Sequence, residues 1–312
     1  MRKYIYQFLA CVMLVLLTVS LRGQTSIVMA KKWGGFGDKP GEFRFPTMIA
    51  VDRTGDVYVV DQHNHRIQKF DSEGNFLSMW GKFGTQPGEF NYPYGVAVDS
   101  RGDVYVSDMN NNRIQKFSPD GRHLLTAGSY GPGEQEFKYP YGIAIDADDY
   151  VYVMDAFNYR IKKLDANLKF LAQWGSQESI GIKLYMPHEI AVGKDGNLLM
   201  TDRQNHRVSI FTKDGKLVGR FGEFGEGAGV KGSQFSEPRG VATGANGEIF
   251  ICDRYNFRIQ KFNAQKDFQT QWVTSATFDD SRFFPLGIAI GGNGMVYVTD
   301  HYDHTVHIYK LL

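Results

Sequence analysis

Short apolar runs of four to six residues recur along most of the chain, alternating with polar positions or continuous, and rich in Val, Ile, Tyr and Phe. Between residues 95 and 128 they read GVAVD, DVYVSD, RIQKF and HLLTAG. Runs of this length and composition predict β-strands. Ser100-Arg101-Gly102 separates the first two and Pro119-Asp120-Gly121 the last two. Both are hairpin chemistry, with Gly supplying the positive φ that a tight turn needs. Nothing in this unit keeps a 3.6-residue period long enough for a helix.

The unit is written six times. Pro46, Pro93, Pro140, Pro187, Pro238 and Pro285 fall at steps of 47, 47, 47, 51 and 47 residues, and Asp61, Asp108, Asp155, Asp202, Asp253 and Asp300 keep the same steps. Two unrelated markers that share one period and one insertion define an internal repeat. Four antiparallel strands per unit and six units predict an all-β, six-bladed β-propeller. The last unit stops after its third run, TVHIYKLL, while IVMAKKW at residues 27–33 precedes GGFGDKPGEF as residues 76–80 precede GKFGTQPGEF. The N-terminal strand is therefore expected to complete the final blade and cover its open edge.

The motifs Pro-x-Gly-Ile/Val-Ala-Val-Asp, Gly-Asp-Val-Tyr-Val-x-Asp and Asn-x-Arg-Ile-Gln-Lys-Phe resemble the NHL repeat, whose signature persists in Asn64-His65-Arg66 and Asn205-His206-Arg207. The resemblance spans residues 26–312 and implies a six-bladed propeller. NHL propellers serve as protein-binding, RNA-binding or sensor domains, and a distant relative is the peptidyl-hydroxyglycine amidating lyase. In that lyase, histidines directly after the blade prolines of three separate blades bind zinc. Here His188, in Met186-Pro187-His188-Glu189, is the one match. A catalytic zinc needs three protein ligands and an open position.

Comparing the six copies separates scaffold from candidate site. Residues present in most blades serve something every blade needs. Asp61, Asp108, Asp155, Asp202 and Asp253 are expected to pair with Arg66, Arg113, Arg160, Arg207 and Arg258 across a tight connection. Asn64 and its equivalents are expected to accept local backbone bonds or to turn left-handed. Trp33, Trp80, Trp174 and Trp272 read as packing between blades. The turn from Asp52 to Asp56 lacks the alternating oxygen ligands of a calcium loop and reads as a hairpin.

Residues that differ between blades are freer to serve a ligand. The positions after the prolines, Thr47, Tyr94, Tyr141, His188, Arg239 and Leu286, should ring the channel mouth, followed by Met48, Gly95, Gly142, Glu189, Gly240 and Gly287. The glycines are expected to leave backbone open to approach. Thr47, Tyr94, Tyr141, His188, Glu189 and Arg239 form the candidate ligand-binding set, suited to a polar or anionic group. The other reading of the ring is a solvated plug with no ligand. His188 is the single metal candidate. No cofactor is expected, although a divalent zinc or calcium ion in the channel is the alternative. His301, His304 and His307 read as surface residues, and His63 and His65 as loop polar groups. The Gly-rich insertion at residues 222–233 is expected to be a tolerated surface loop.

Residues 1–23 read as a signal peptide: Arg2 and Lys3 precede a 14-residue apolar run at residues 8–21, short of the ~20 that a spanning helix needs. An uncleaved anchor is the alternative. The expectation is an exported, periplasmic or extracellular propeller at residues 24–312, monomeric and not stably inserted in a membrane once the leader is cleaved. Arg2, Lys3 and Arg22 leave with the leader, so the remainder carries 32 basic against 34 acidic residues. Such a surface lacks the basic field that attracts nucleic acid. Cys11 lies in the leader and Cys252 then has no partner, so no internal disulfide supports the domain. The expected activity is recognition of a protein, peptide or envelope polymer, with a metal-dependent lyase- or lactonase-like enzyme as the alternative.

Overall fold

The protein is represented by a computed structural model that describes residues 27–175, 183–227, 230–272 and 283–312. The expected leader and its cleavage site lie outside these residues. None of the described helices is long and apolar enough to cross a membrane.

Six four-stranded antiparallel sheets surround one axis. In blade 1 the strands are Pro46–Val51, Val57–Asp61, Arg66–Phe70 and Phe76–Trp80, from the axis outward. Blades 2 to 5 repeat this order at residues 93–127, 140–174, 187–221 and 238–272, and blade 6 begins at Pro285. The first strands of neighbouring blades touch one another around the whole ring and enclose the channel. The strand Ile27–Gly34 pairs antiparallel with Thr305–Leu311, placing Trp33 opposite Val306 and Ile27 opposite Leu311. The first strand in sequence thus becomes the outer strand of the last blade, as the repeat arithmetic predicts.

The recurring polar residues hold each blade together from inside. Asp61 accepts from Arg44 N at 2.7 Å, Asn64 Nδ2 at 2.9 Å, Arg66 Nε at 2.7 Å and Gln68 Nε2 at 3.0 Å. The guanidinium of Arg66 also donates to the carbonyls of Asp38, Lys39 and Glu42, tying the connection into blade 1 onto its own sheet. The same aspartate–arginine pair recurs in blades 2, 3, 4 and 5. The asparagine differs from expectation. Asn64 donates, to Asp61 and to the Gly37 carbonyl, and the left-handed residue is His65, one position later.

That left-handed position has its own repeated task. The Nδ1 atoms of His65, His206 and His304 accept the backbone N–H of Tyr92, Glu237 and Phe45, each itself held at positive φ just before a blade proline. These histidines position the next blade rather than a ligand. Between blades, Trp80 packs on Tyr58 of its own sheet and Phe117 of the next, at ring separations of 6.3 and 5.9 Å.

In every blade the register slips between the proline and the third residue after it, as between Pro46 and Ile49. Such a bulge re-aims side chains, here towards the axis. The glycines in these bulges are not open to a ligand, contrary to the sequence expectation. A Cβ on Gly95 would meet the Tyr141 carbonyl at 2.4 Å, and one on Gly240 the Leu286 carbonyl at 2.5 Å. They permit blade-to-blade contact instead. Ser107 Oγ sews this seam, accepting from Gly95 N at 2.7 Å and donating to Tyr141 O at 2.6 Å, and Thr201 and Thr299 do likewise. Gly95→Ala is expected to destabilise the protein by about 1–3 kcal/mol, because the obstacle is backbone that cannot swing aside. Urea unfolding measures this, and an unchanged midpoint would show that the seam yields.

Candidate functional site

The residues after the blade prolines do converge, but unequally. Tyr94 and Tyr141 stack at 4.6 Å with 20° between ring planes, and both rings lie against His188, at 5.3 and 5.4 Å. Tyr94 Oη lies 2.6 Å from His188 Nε2, and Arg239 Nη1 donates to that nitrogen at 3.0 Å. Two donors on Nε2 place the imidazole proton on Nδ1, which has no partner among the described residues. Burial, and then the charges of Arg239, Arg203 and Arg254, hold His188 well below the usual histidine range, so it is neutral. Burial raises both phenols, Tyr141 to about 12. Together the two tyrosines and the histidine floor the channel mouth.

Thr47 and Leu286 offer no polar group to this floor, and Leu286 is buried in the apolar cluster that includes Tyr94. Thr47 is fully buried and donates to the Tyr94 carbonyl at 2.8 Å, so it joins blades 1 and 2. Glu189 lies one residue beyond His188 on the same strand, against Gly142 of the preceding blade. Its Oε1 accepts from Ile190 N at 3.2 Å, while Oε2 is buried without a partner. Burial pushes its carboxyl up to about 8, so Glu189 holds a proton at neutral pH.

Sequence reasoning missed the residues that give the mouth its charge. Arg203 and Arg254 open the short turns after Asp202 and Asp253, and Glu237 precedes Pro238. Arg203 binds Glu237 Oε2 at 2.6 Å, and Arg239 Nη2 approaches the same oxygen at 3.4 Å. Burial opposes ionisation of Glu237, but the hydrogen bond and charge of Arg203, with help from Arg239, hold its carboxyl below the usual range.

Arg254 is only 4% exposed, and its Nε and Nη1 lack partners among the described residues, as does Nε of Arg239. The Arg254 guanidinium lies over the rings of Phe284 and Tyr302, at 5.7 and 5.5 Å. Burial and the charge of Arg239 push its pKa down. His301, expected at the surface, is largely buried, contacts the Pro46 carbonyl through Nδ1 at 3.1 Å, and is driven down to about 3 by burial and by Arg254. Two guanidiniums, of Arg203 and Arg239, therefore meet the Glu237 carboxylate, with Arg254 close to Arg239 and to the neutral His188 and His301. Buried polar groups are nearly always hydrogen-bonded, so the unpaired N–H groups on Arg239 and Arg254 are exceptions among the described residues.

His307 is likewise buried rather than superficial, at 5% exposure, because both faces of its strand are covered from Thr305 to Tyr309. His63 remains an exposed loop residue, as read from the sequence. The insertion at residues 222–233 is anchored at both ends. Glu223–Phe224 pairs in parallel with Gln234–Phe235, as Phe36 bridges Phe43 in blade 1.

This architecture and its repeated aspartate–asparagine–arginine network define the molecule as a six-bladed β-propeller carrying NHL repeats. The NHL repeat family matches residues 43–70, 90–117, 184–211 and 235–262, in blades 1, 2, 4 and 5. Among curated proteins, the B-box type zinc finger protein ncl-1 of Caenorhabditis elegans is 51% identical over 45 residues, which are 14% of this chain and 5% of that protein. Protein brain tumor of Drosophila melanogaster is 49% identical over 45 residues, 14% of this chain and 4% of that protein. The match thus spans a small fraction of either relative.

Among solved structures, virginiamycin B lyase from Staphylococcus aureus superposes with a TM-score of 0.63 at 14% identity, covering 93% of this chain and all of that one. A gluconolactonase from Xanthomonas campestris gives a TM-score of 0.68 at 12% identity, covering 93% of this chain and 91% of that one. At these identities the likeness is one of fold.

Proposed function

We propose that this propeller is a non-catalytic recognition module, exported by its leader, that captures a carboxylate-bearing peptide or envelope polymer at the channel mouth. The observation that carries the reading is the pair of arginines, Arg239 and Arg254, with buried and unused N–H donors above the Tyr94–Tyr141–His188 floor. A guanidinium pairs with a carboxylate through parallel hydrogen bonds, which suits it to such a ligand. The half-exposed aromatic rings of Tyr139, Phe157, Tyr255 and Tyr302 lie on the connections of the same face and supply apolar contact area around the charge.

The enzyme alternative, a zinc- or calcium-dependent lyase or lactonase, draws support from similarly folded structures described as a virginiamycin B lyase and a gluconolactonase. The chemistry around His188 favours recognition instead. Its one free lone pair, on Nε2, already faces two donors, and the guanidiniums nearby repel a metal cation.

Titration with short peptides ending in a free carboxylate, beside the same peptides amidated, tests the proposal. The free acids are expected to bind more tightly, and Arg254→Gln or Arg239→Gln to weaken them at least about tenfold, in line with the worth of a charged hydrogen bond. Equal binding of acid and amide, binding indifferent to both substitutions, or no binding of any peptide would overturn it.

A further inference from the structure

Blade 6 departs from its siblings at one buried spot. In blades 1, 2 and 5 the carboxylate ending the second strand takes hydrogen bonds from an Asn three residues on, an Arg five on and a Gln seven on. Blades 3 and 4 keep the Asn and the Arg. In blade 6 the carboxylate is Asp300, and those three positions hold Asp303, Thr305 and His307. The guanidinium that neutralises every sibling is gone. A second carboxylate and an imidazole stand where two amide donors stood.

We propose that Asp300, Asp303 and His307 bind a first-row divalent cation, zinc or manganese, that takes over the role of the missing arginine. One ligand atom from each of the three lies within 4.8 Å of the others. Metal–ligand bonds of about 2.1 Å set ligand atoms roughly 3–4 Å apart, so a small inward shift of Asp303 on its turn completes the cage. An imidazole in the set argues against calcium, which takes oxygen ligands. The Nδ1 atom of His307 lies 3.1 Å from Tyr309 Oη. That phenol can hold the Nδ1 proton, the usual support for a ligating histidine, while Nε2 exchanges its present bond to Thr305 Oγ1, at 3.0 Å, for the metal. Asp300 Oδ1 accepts the backbone N–H groups of Phe284, Tyr302 and Asp303, and the position five residues on supplies no guanidinium.

Lys32, on the N-terminal strand, forms an ion pair with Asp303 and is the competing cation. Its side chain is 43% exposed and free to swing out, which makes the site a junction between blade 6 and the strand that closes it.

The test is calorimetric titration of the chelator-treated, dialysed full chain with zinc and manganese chlorides, with calcium and magnesium as comparisons. One zinc or manganese per chain is expected, with a concentration-dependent rise in Tm. His307→Gln should weaken binding at least tenfold. The triple change Asp303→Asn, Thr305→Arg and His307→Gln, which restores the sibling pattern, should fold and abolish binding. Lys32→Met should tighten the metal. Absence of binding, preference for calcium, or binding that survives the triple change would overturn the site. So would a Lys32→Met protein that loses stability without gaining metal affinity, because Lys32 alone would then be the neutralising group.

Discussion

Removing residues 24–33 is expected to leave a chain that is no longer a soluble, cooperatively folded monomer. Those residues supply nearly the whole outer strand of blade 6, paired along Thr305–Leu311. Trp33 fills the joint between blades 6 and 1, at 6.5 Å from Tyr297 and 5.7 Å from Phe70. Ile27 packs on the blade 5–6 cluster beside Trp272 and Leu311. Losing a fully buried aromatic costs about 3–5 kcal/mol; Trp33 is partly buried, and its loss together with the strand pairing is a large share of the ~5–15 kcal/mol that holds a typical protein folded. The bare Thr305–Leu311 strand then offers an edge for intermolecular pairing. Size-exclusion chromatography and thermal melts read the result, and a peptide carrying IVMAKKW should restore the melt in trans. A truncated protein that stays monomeric with its Tm unchanged would refute closure by this strand.

Glu189→Gln is expected to stabilise the protein at pH 8, by about 2–4 kcal/mol, because it removes a carboxyl that loses its proton inside the channel. The direction follows from linkage. A folded-state pKa near 8 lies above the ordinary glutamate value of about 4.3, so the folded form holds the extra proton between them. Stability owed to this group is complete below the unfolded value and declines as pH rises through about 8. The glutamine variant should flatten that decline. Urea unfolding from pH 5 to 9 checks it, and parallel pH dependence in the two proteins would count against the buried, protonated state.

The fold was legible because the same markers recur at one spacing, and one side-chain network forces that spacing in every blade. Asp108 and Arg113 meet because the third strand starts where a single turn ends. The aromatic floor was legible too, since Tyr94, Tyr141 and His188 share one position after a proline, and the bulge there turns all three towards the axis.

The charged rim was not legible from that position alone. Arg203, Arg254 and His301 occupy the residue after the strand-ending aspartate, where blades 1 to 3 carry Gln62, Met109 and Ala156. The same cross-blade comparison, moved to that column, contains the signal. The blade 6 cluster stayed hidden for another reason. Taken as a trio, His301, His304 and His307 do not converge. The groups gathered near His307 are two carboxylates, one at a strand end and one on the following turn, so a search among histidines alone passes over them.

The pairing of Ile27–Gly34 with Thr305–Leu311 also orders events in time. The segment that leaves the ribosome ahead of all the sheets has no neighbour until the final residues emerge, so five blades can assemble while it stays extended and unclaimed. The circle can lock only once Thr305–Leu311 is available to pair with that segment.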